Sequence, residues 1–233
     1  MCTVPVTGLL YDIHGNLPAL EAVLADASTA GIMRWVLGGD YALFGPWPAE
    51  TVAALRELPH ATWIRGNGER WTAHPEDAPG NDVVQGAIAA CREALGADLV
   101  EELAALPGGA VLEPVRYCHA SPVSDVRSFL PEPADDEGEL LAGVSEPRLV
   151  FGHTHLPFAR TSATGVELVN PGSVGMPFDG DPRAAYAIID DDGEIEHRRI
   201  TYDHEASAAA VGERFGHGVW TETVAGRIAR ARP

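Results

Sequence analysis

Five short apolar runs in this chain each stop on glycine, aspartate, asparagine or histidine, and that recurrence constrains its fold more than any other feature. The first run, residues 4–10, ends in YDIHGN, which crowds Asp12, His14, Gly15 and Asn16 against Pro18. An apolar run this short, bounded by turn residues, reads as a buried strand. Asn16 then stands where a helix N-cap belongs, and Pro18 is tolerated in the first turn. Leu20, Val23, Leu24 and Ala27 share one helical face, and Gly31 lies just past its end. MRWVLGGD is a second strand ending on Asp40, PAETVAALREL a second helix, and ATWIRGN a third strand ending on Gly66 and Asn67.

Residues 83–106 are Ala/Leu-rich and helical in pattern, an insertion of helices at about 70–107 within a single domain spanning 1–233. GAVLEPVRYCHAS returns to strand character and delivers His119; residues 131–147 form an acidic loop with at most a short helix; PRLVFGHTH is a strand that ends on His153 and His155. Two hairpins follow, FARTSATGVELVN turning at 163–165 and AAYAIIDDDGEIEHRRITYD turning at 191–193. A helix over roughly 205–214 and a weaker tail close the chain. Alternating strands and helices first, hairpins later, predict a layered α/β fold with two sheets.

The carboxyl ends of strands in open α/β sheets are where ligands collect. Five such ends would bring Asp12, His14, Asp40, Asn67, His119, His153 and His155 to one edge. These oxygen and nitrogen donors suit Zn, Mn, Fe, Ni or Co better than thiolate-loving metals. Taken singly each has a plainer role: Asp12 and Asn16 as turn and cap residues, GGD as a turn, His119 as a core histidine. Five together do not.

Charge narrows the partners. The net charge of −18 rests on 34 acidic against 16 basic residues with no basic stripe, which disfavours long nucleic acids. A phosphorylated substrate would need positive charge from elsewhere, and bound metal ions are one source. The three cysteines, Cys2, Cys91 and Cys118, are too scattered for a disulfide framework or a Cys-x-x-Cys site. With no membrane-length apolar run and no signal-peptide pattern, the expected location is cytoplasmic.

The ordered set D-x-H, G-G-D, G-N, H and G-H-T-H, with NPGSVG at 170–175 and DGDPRAAYAIID after it, resembles the calcineurin-like metallophosphoesterase superfamily, most of all its small bacterial and archaeal phosphodiesterase-like members. The resemblance runs from Val4 to about Asp190. It implies a four-layer αββα sandwich of two mixed β-sheets flanked by helices. It also implies two divalent ions, Mn foremost, with Fe, Zn, Ni, Co or Mg as alternatives. Asp12, His14 and His155 would hold one ion, Asn67, His119 and His153 the other, and Asp40 would bridge them. The implied activity is hydrolysis of a small phosphodiester or phosphomonoester by a metal-bridging hydroxide. Asp40, Asn67 and His14 would be catalytic, and Asn67, Asn16 and Ser173 would touch substrate. A non-catalytic metal-binding scaffold or nucleotide sensor on the same fold is the alternative, and homo-oligomers are compatible with either.

Two departures stand out. Many relatives carry a histidine after G-N that protonates the leaving group; here GNGE puts Gly68 in that place, with Glu69 next. Gly68→His is therefore expected to help substrates with poor leaving groups. Where relatives often have arginine after GSVGxP, this chain has Phe178, which favours stacking over phosphate binding. Trp47, Trp71 and Phe178 are candidate pocket aromatics, Arg183 a strand-fixing residue, and His60, His74, His197, His204 and His217 surface residues.

Overall fold

The computed structural model describes residues 6–112 and 114–233. The expected alternation appears at once, as β1 (Thr7–Leu10), α1 (Leu17–Ala27), β2 (Arg34–Leu37), α2 (Pro48–Arg56) and β3 (Ala61–Trp63). Val4 and Pro5 of the first apolar run, and Cys2, lie outside the described residues. Helices α3 (Asn67–Ala73), α4 (Asp82–Leu95) and α5 (Ala97–Ala104) follow, with a 3-10 turn at Pro75–Asp77 between the first two. Then come β4 (Gly109–Leu112), β5 (Val115–Cys118), α6 (Glu137–Leu140), β6 (Arg148–Val150), β7 (Phe158–Thr161) and β8 (Glu167–Asn170). The chain closes with β9 (Ala184–Ile189), β10 (Ile195–Ile200), α7 (His204–Phe215) and α8 (Val219–Arg230).

The strands form two five-stranded mixed sheets, ordered β10-β9-β1-β2-β3 and β4-β5-β6-β8-β7. Side chains alternate between the faces of a strand, and that alternation builds the layers. Leu9, Val36 and Ile189 of the first sheet meet Tyr117, Val150 and Val169 of the second, forming a core between the sheets. Their neighbours Leu10, Leu37 and Ile188 turn the other way, onto Leu20 and Val23 of α1, Val52 of α2, Val211 of α7 and Val224 and Ile228 of α8. Behind the second sheet, Leu149, Phe151 and Leu168 pack on Phe129, Leu140 and Leu141. The four layers are present, the fourth thin because α6 is only four residues long.

Within the sheets β1, β2 and β3 run parallel, as do β5, β6 and β8. Each parallel set therefore points its C-terminal ends toward one edge, which fixes where the polar clusters emerge.

Three sequence expectations change. The stretch after Asn67 opens α3, which the polar pattern GNGERW did not reveal. The weak tail is a full helix, α8, whose buried face consists of the inconspicuous Thr221, Val224 and Ile228. Asn16 occupies the N-cap position of α1 without capping it. Its amide nitrogen instead donates to the Gly175 carbonyl (2.7 Å) and the Tyr202 hydroxyl (3.0 Å). A buried amide with two tertiary acceptors gains more from them than from a local cap.

Candidate metal centre

Where the strands stop, their pairing continues into the loops. Asp12 N–H donates to the Gly39 carbonyl (3.2 Å), His14 N–H to that of Asp40 (2.8 Å) and Gly15 N–H to that of Tyr41 (2.8 Å). The loops after β1 and β2 are thereby locked together, and both turn through left-handed backbone. Asp12 (φ 54°), His14 (φ 51°), Asp40 (φ 55°), His153 (φ 70°) and His155 (φ 59°) all have positive φ. That conformation costs a non-glycine residue roughly 1–2 kcal/mol and concentrates at functional sites. Five of the seven residues anticipated as ligands carry it.

The strain is held by buried braces. Glu69 accepts three backbone N–H groups, from Asp40 (2.9 Å), Tyr41 (2.8 Å) and Gly66 (2.8 Å). It is a clamp on the Asp40 loop, a role its sequence position alone did not disclose. Ser173, fully buried, donates its hydroxyl to the Asp12 carbonyl (2.6 Å) and accepts from Met176 N–H (2.8 Å). Ser173 and Asn16, expected to touch substrate, are both 0% exposed and act here as props, Ser173 between backbone groups and Asn16 through its amide nitrogen, while Asn16 Oδ1 has no partner.

The imidazoles are oriented by backbone carbonyls. His14 Nδ1 lies 2.9 Å from Leu43 O, His119 Nδ1 2.8 Å from Gly38 O and His155 Nδ1 2.6 Å from Met176 O. A carbonyl can only accept, so each Nδ1 carries a proton, and burial, which keeps His14 and His155 neutral, leaves their Nε2 atoms as bare lone pairs. Those lone pairs converge. His14 Nε2 and His155 Nε2 are 3.1 Å apart with no proton between them. His155 Nε2 is 3.5 Å from Asp12 Oδ1, His14 Nε2 3.7 Å from Asp40 Oδ2 and His119 Nε2 3.5 Å from Asp40 Oδ1. Asp12 Oδ1 is buried without a hydrogen-bond partner, while Oδ2 accepts the His153 N–H (2.9 Å).

Without metal a proton on Asp12 can ease such a set, and a cation would satisfy it more fully. Two donor triads, Asp12–His14–His155 and Asp12–Asp40–His119, are close enough to hold one. Asp12 belongs to both triads and Asp40 to the second alone. Asn67 and His153 extend the second triad. The Asn67 amide faces His119 Nε2 at 2.9 Å. With its oxygen inward it can bind a cation; with its nitrogen inward it donates to His119 Nε2 and to His153 Nδ1 (2.8 Å). All seven expected residues are therefore in one place, His153 at the more open end with its ring edge-on to His119.

Burial also shifts the titrating groups against their usual charges. It pushes the Asp12 carboxyl up to about 8, with His119 opposing and Asp40 adding to the rise. The Asp40 carboxyl is raised by burial and by Glu69. Burial holds His14 down at about 3 and, with His119, His153 at about 4. The sign of the resulting pH dependence is fixed. Folded Asp12 keeps a proton that the unfolded chain loses near pH 4, so its contribution falls as pH rises to about 8. The histidines refuse protons that the unfolded chain takes below about 6.5, so theirs falls as pH drops. Between pH 6.5 and 8 only the carboxyl effect acts. Metal-stripped protein is expected to melt at lower temperature at pH 8 than at pH 6.5, losing at most about 1.4 kcal/mol per unit for each such carboxyl. Added Mn²⁺ should remove that slope. A stripped protein whose melting temperature rises over this range would contradict the arrangement.

Gly68 has its own explanation. Its N–H donates to Asp40 Oδ1 (2.7 Å), and a Cβ there would come within 2.8 Å of the same oxygen. A larger residue here needs the Asp40 carboxylate to shift. Gly68→His is therefore expected to weaken metal affinity through Asp40 unless that shift is accommodated, so metal titration beside turnover on good and poor leaving groups separates this cost from any gain of a leaving-group acid.

Of the candidate pocket aromatics, Phe178 stacks on His155 (4.3 Å, 18°) and Trp71 lines a cavity of about 470 Å³ with His153. Phe44 packs against His14, a contact the sequence did not suggest. Trp47 anchors the first loop through its N–H to the Gly15 carbonyl (2.9 Å). Arg183 pairs with Asp181 at the surface.

The family model of the calcineurin-like phosphoesterase superfamily domain matches residues 7–194. An uncharacterized protein of Methanocaldococcus jannaschii is 30% identical over 222 residues, 84% of this chain and 87% of that protein. Phosphodiesterase YfcE of Escherichia coli is 29% identical over 195 residues, 78% of this chain and 85% of YfcE. Among solved structures, a metallophosphoesterase from Sphaerobacter thermophilus superposes with a TM-score of 0.81 at 26% identity, covering 98% of this chain and 99% of that one.

Proposed function

Since the chain belongs to the calcineurin-like phosphoesterase superfamily, we propose that it is a metal-dependent hydrolase of a small phosphodiester or phosphomonoester. The observation that carries this reading is the convergence of ligand atoms, Nε2 of His14, His119 and His155 with the orphaned Asp12 Oδ1, on one buried spot. Asp12, His14 and His155 would hold one ion and Asn67, His119 and His153 a second, with Asp40 between them. When bound, a pair of divalent cations, Mn²⁺ foremost, would neutralise phosphate charge and acidify water.

The chain's own residues do the positioning. The carbonyls of Gly38, Leu43 and Met176 keep each imidazole in the tautomer whose lone pair faces inward. Glu69 fixes the backbone that carries Asp40, and Gly68 N–H fixes its carboxylate. His153, less buried than the other histidines, and Asn67 present the open side to substrate. No helix among the described residues is long and apolar enough to cross a membrane. Cys91 and Cys118 are free and buried, which supports a reducing, cytoplasmic setting.

Hydrolysis of bis(p-nitrophenyl) phosphate beside p-nitrophenyl phosphate, by metal-stripped protein with Mn²⁺ restored, tests the proposal. Mn²⁺-dependent turnover is expected, with the diester preferred. Bound Mn²⁺ with neither ester hydrolysed would replace it by the scaffold or sensor reading.

A further inference from the structure

Of the seven expected ligands, His153 is the one that is not fully buried. It also forms the inner wall of the cavity of about 470 Å³ that Trp71 lines. The Asn67 amide reaches His153 Nδ1 at 2.8 Å, so this cavity opens directly off the donor cluster. Three separate segments enclose the rest of it: Arg70 and Trp71 of α3, Asp77 and Pro79 at and after the 3-10 turn, and Val126 of the loop after β5. Asn67 opens α3 and Trp71 follows four positions on, which puts both on one face of that helix.

The charges of the cavity wall decide what it can hold. Arg70 donates through two nitrogens to the Asp125 carboxylate (2.6 and 2.8 Å) and through a third to Asp77 (3.3 Å). One guanidinium against two carboxylates leaves this wall with no free cation and a net negative charge, which repels a second anionic group. The same contacts tie α3 to the 3-10 turn and to the loop carrying Val126, so the shape of the cavity is set before any ligand arrives. What remains of the wall is apolar: Trp71, Pro79 and, 41% exposed at the rim, Val126. An apolar cleft of this size beside a few polar groups suits the organic part of a small ligand. An indole in the wall favours a flat aromatic partner, whether stacked or edge-on.

We propose that this cavity is the subsite for the organic substituent of the phosphate ester, and that the substituent it takes is a flat, uncharged aromatic or heteroaromatic ring. With the phosphate at Asn67 and His153, the ring lies against Trp71 and under Val126. The inference rests on the phosphoesterase reading and narrows its substrates to aryl or nucleoside esters of phosphate. Esters of small aliphatic alcohols leave the apolar wall uncovered, and substrates with a second phosphate at this end meet the excess carboxylate of Asp77 and Asp125.

The test is calorimetric binding of phenylphosphonate and methylphosphonate to Mn²⁺-loaded protein. The two probes share the anionic head, differ in the ring, and carry a P–C bond that hydrolysis leaves intact. The wild type should bind phenylphosphonate roughly tenfold tighter, the worth of one aromatic contact. Trp71→Ala should abolish that preference and leave methylphosphonate affinity and bound Mn²⁺ unchanged, while Trp71→Phe should keep part of it. Should Trp71→Ala fail to fold, Val126→Ser, on the exposed rim, should cut the preference by roughly 2–3-fold, and Val123→Ser, exposed in the same loop but outside the cavity, should match the wild type. No preference in the wild type, or a preference that persists in Trp71→Ala and Val126→Ser, would overturn the inference. Equal weakening of both probes in Trp71→Ala would overturn it too, by showing that Trp71 supports the centre instead of touching the ligand. A ring preference lost in the variants while the wild type hydrolyses no ester would uphold the subsite and reject the phosphoesterase reading. Mn²⁺-dependent turnover without ring preference would do the reverse.

Discussion

Asp40→Asn is expected to lower Mn²⁺-dependent diester turnover by at least about 10³-fold and to reduce bound metal from two ions to one. Asp40 offers one carboxylate oxygen to each side of the centre, 3.7 Å from His14 Nε2 and 3.5 Å from His119 Nε2. An amide has one oxygen and no charge, so it can serve only one side. Losing a metal's charge stabilisation costs several kcal/mol at the transition state, and each 1.36 kcal/mol is a factor of ten. The fold should survive. Burial and Glu69 already raise the Asp40 carboxyl toward its neutral form, so a neutral amide relieves the metal-free protein at pH 8. Metal-free Asp40→Asn should therefore melt at or above the metal-free wild type. A variant that keeps two ions and full turnover would show that Asp40 bridges nothing; one that melts far lower would show that its role is structural.

Gly175→Ala is expected to be among the most destabilising single-methyl additions near the centre, with Gly45→Ala. A Cβ at Gly175 would stand 1.8 Å from the Ile13 carbonyl oxygen and 2.9 Å from Asn16 Cβ. The clash is with backbone, so no side chain can rotate away. The segment is also stitched to β1's loop by Val174 N–H to Tyr11 O (3.0 Å) and Gly175 N–H to Asp12 O (3.1 Å). Relief would have to move the loop carrying Asp12 and His14. We expect a loss of roughly 4 kcal/mol, at the severe end for point mutants, and a melting temperature lower by about 10 °C for a chain of this size. Weakened Mn²⁺ binding should accompany it. Gly138→Ala in α6, where an added methyl meets nothing within 4 Å, should change stability by less than about 0.5 kcal/mol. Equal melting temperatures for the two variants would refute this account of NPGSVG.

Much of this was legible in advance for one reason: each chemical group stands directly after an apolar run. Asp12 and His14 after β1, Asp40 after β2 and His153 and His155 after β6 are read from strand pattern and adjacency. The hairpins at 163–165 and 191–193 were legible because turn chemistry is local. Helix α8 was not, because Thr221, Val224 and Ile228 make too weak an apolar stripe to stand out from a polar tail. Asn16 and Ser173 misled because their local chemistry, a cap and a hydroxyl beside glycines, suits solvent or substrate as well as it suits a buried carbonyl. Glu69 and Gly68 were visible as residues but not as roles, since both act on the Asp40 loop 28 or 29 positions away.

The amino-acid order by itself determined the element sequence apart from α3 and α8, the two-sheet class and which seven side chains end the strands, since periodicity and turn preference are properties of neighbouring residues. Tertiary structure alone decided that Asp12 is shared between both donor groups and that His14 and His155 aim bare lone pairs at each other across 141 positions. Those outcomes depend on which distant carbonyl takes each imidazole proton and on which distant side chains burial leaves unpaired. Such pairings exist only once the sheets and helices have closed on one another.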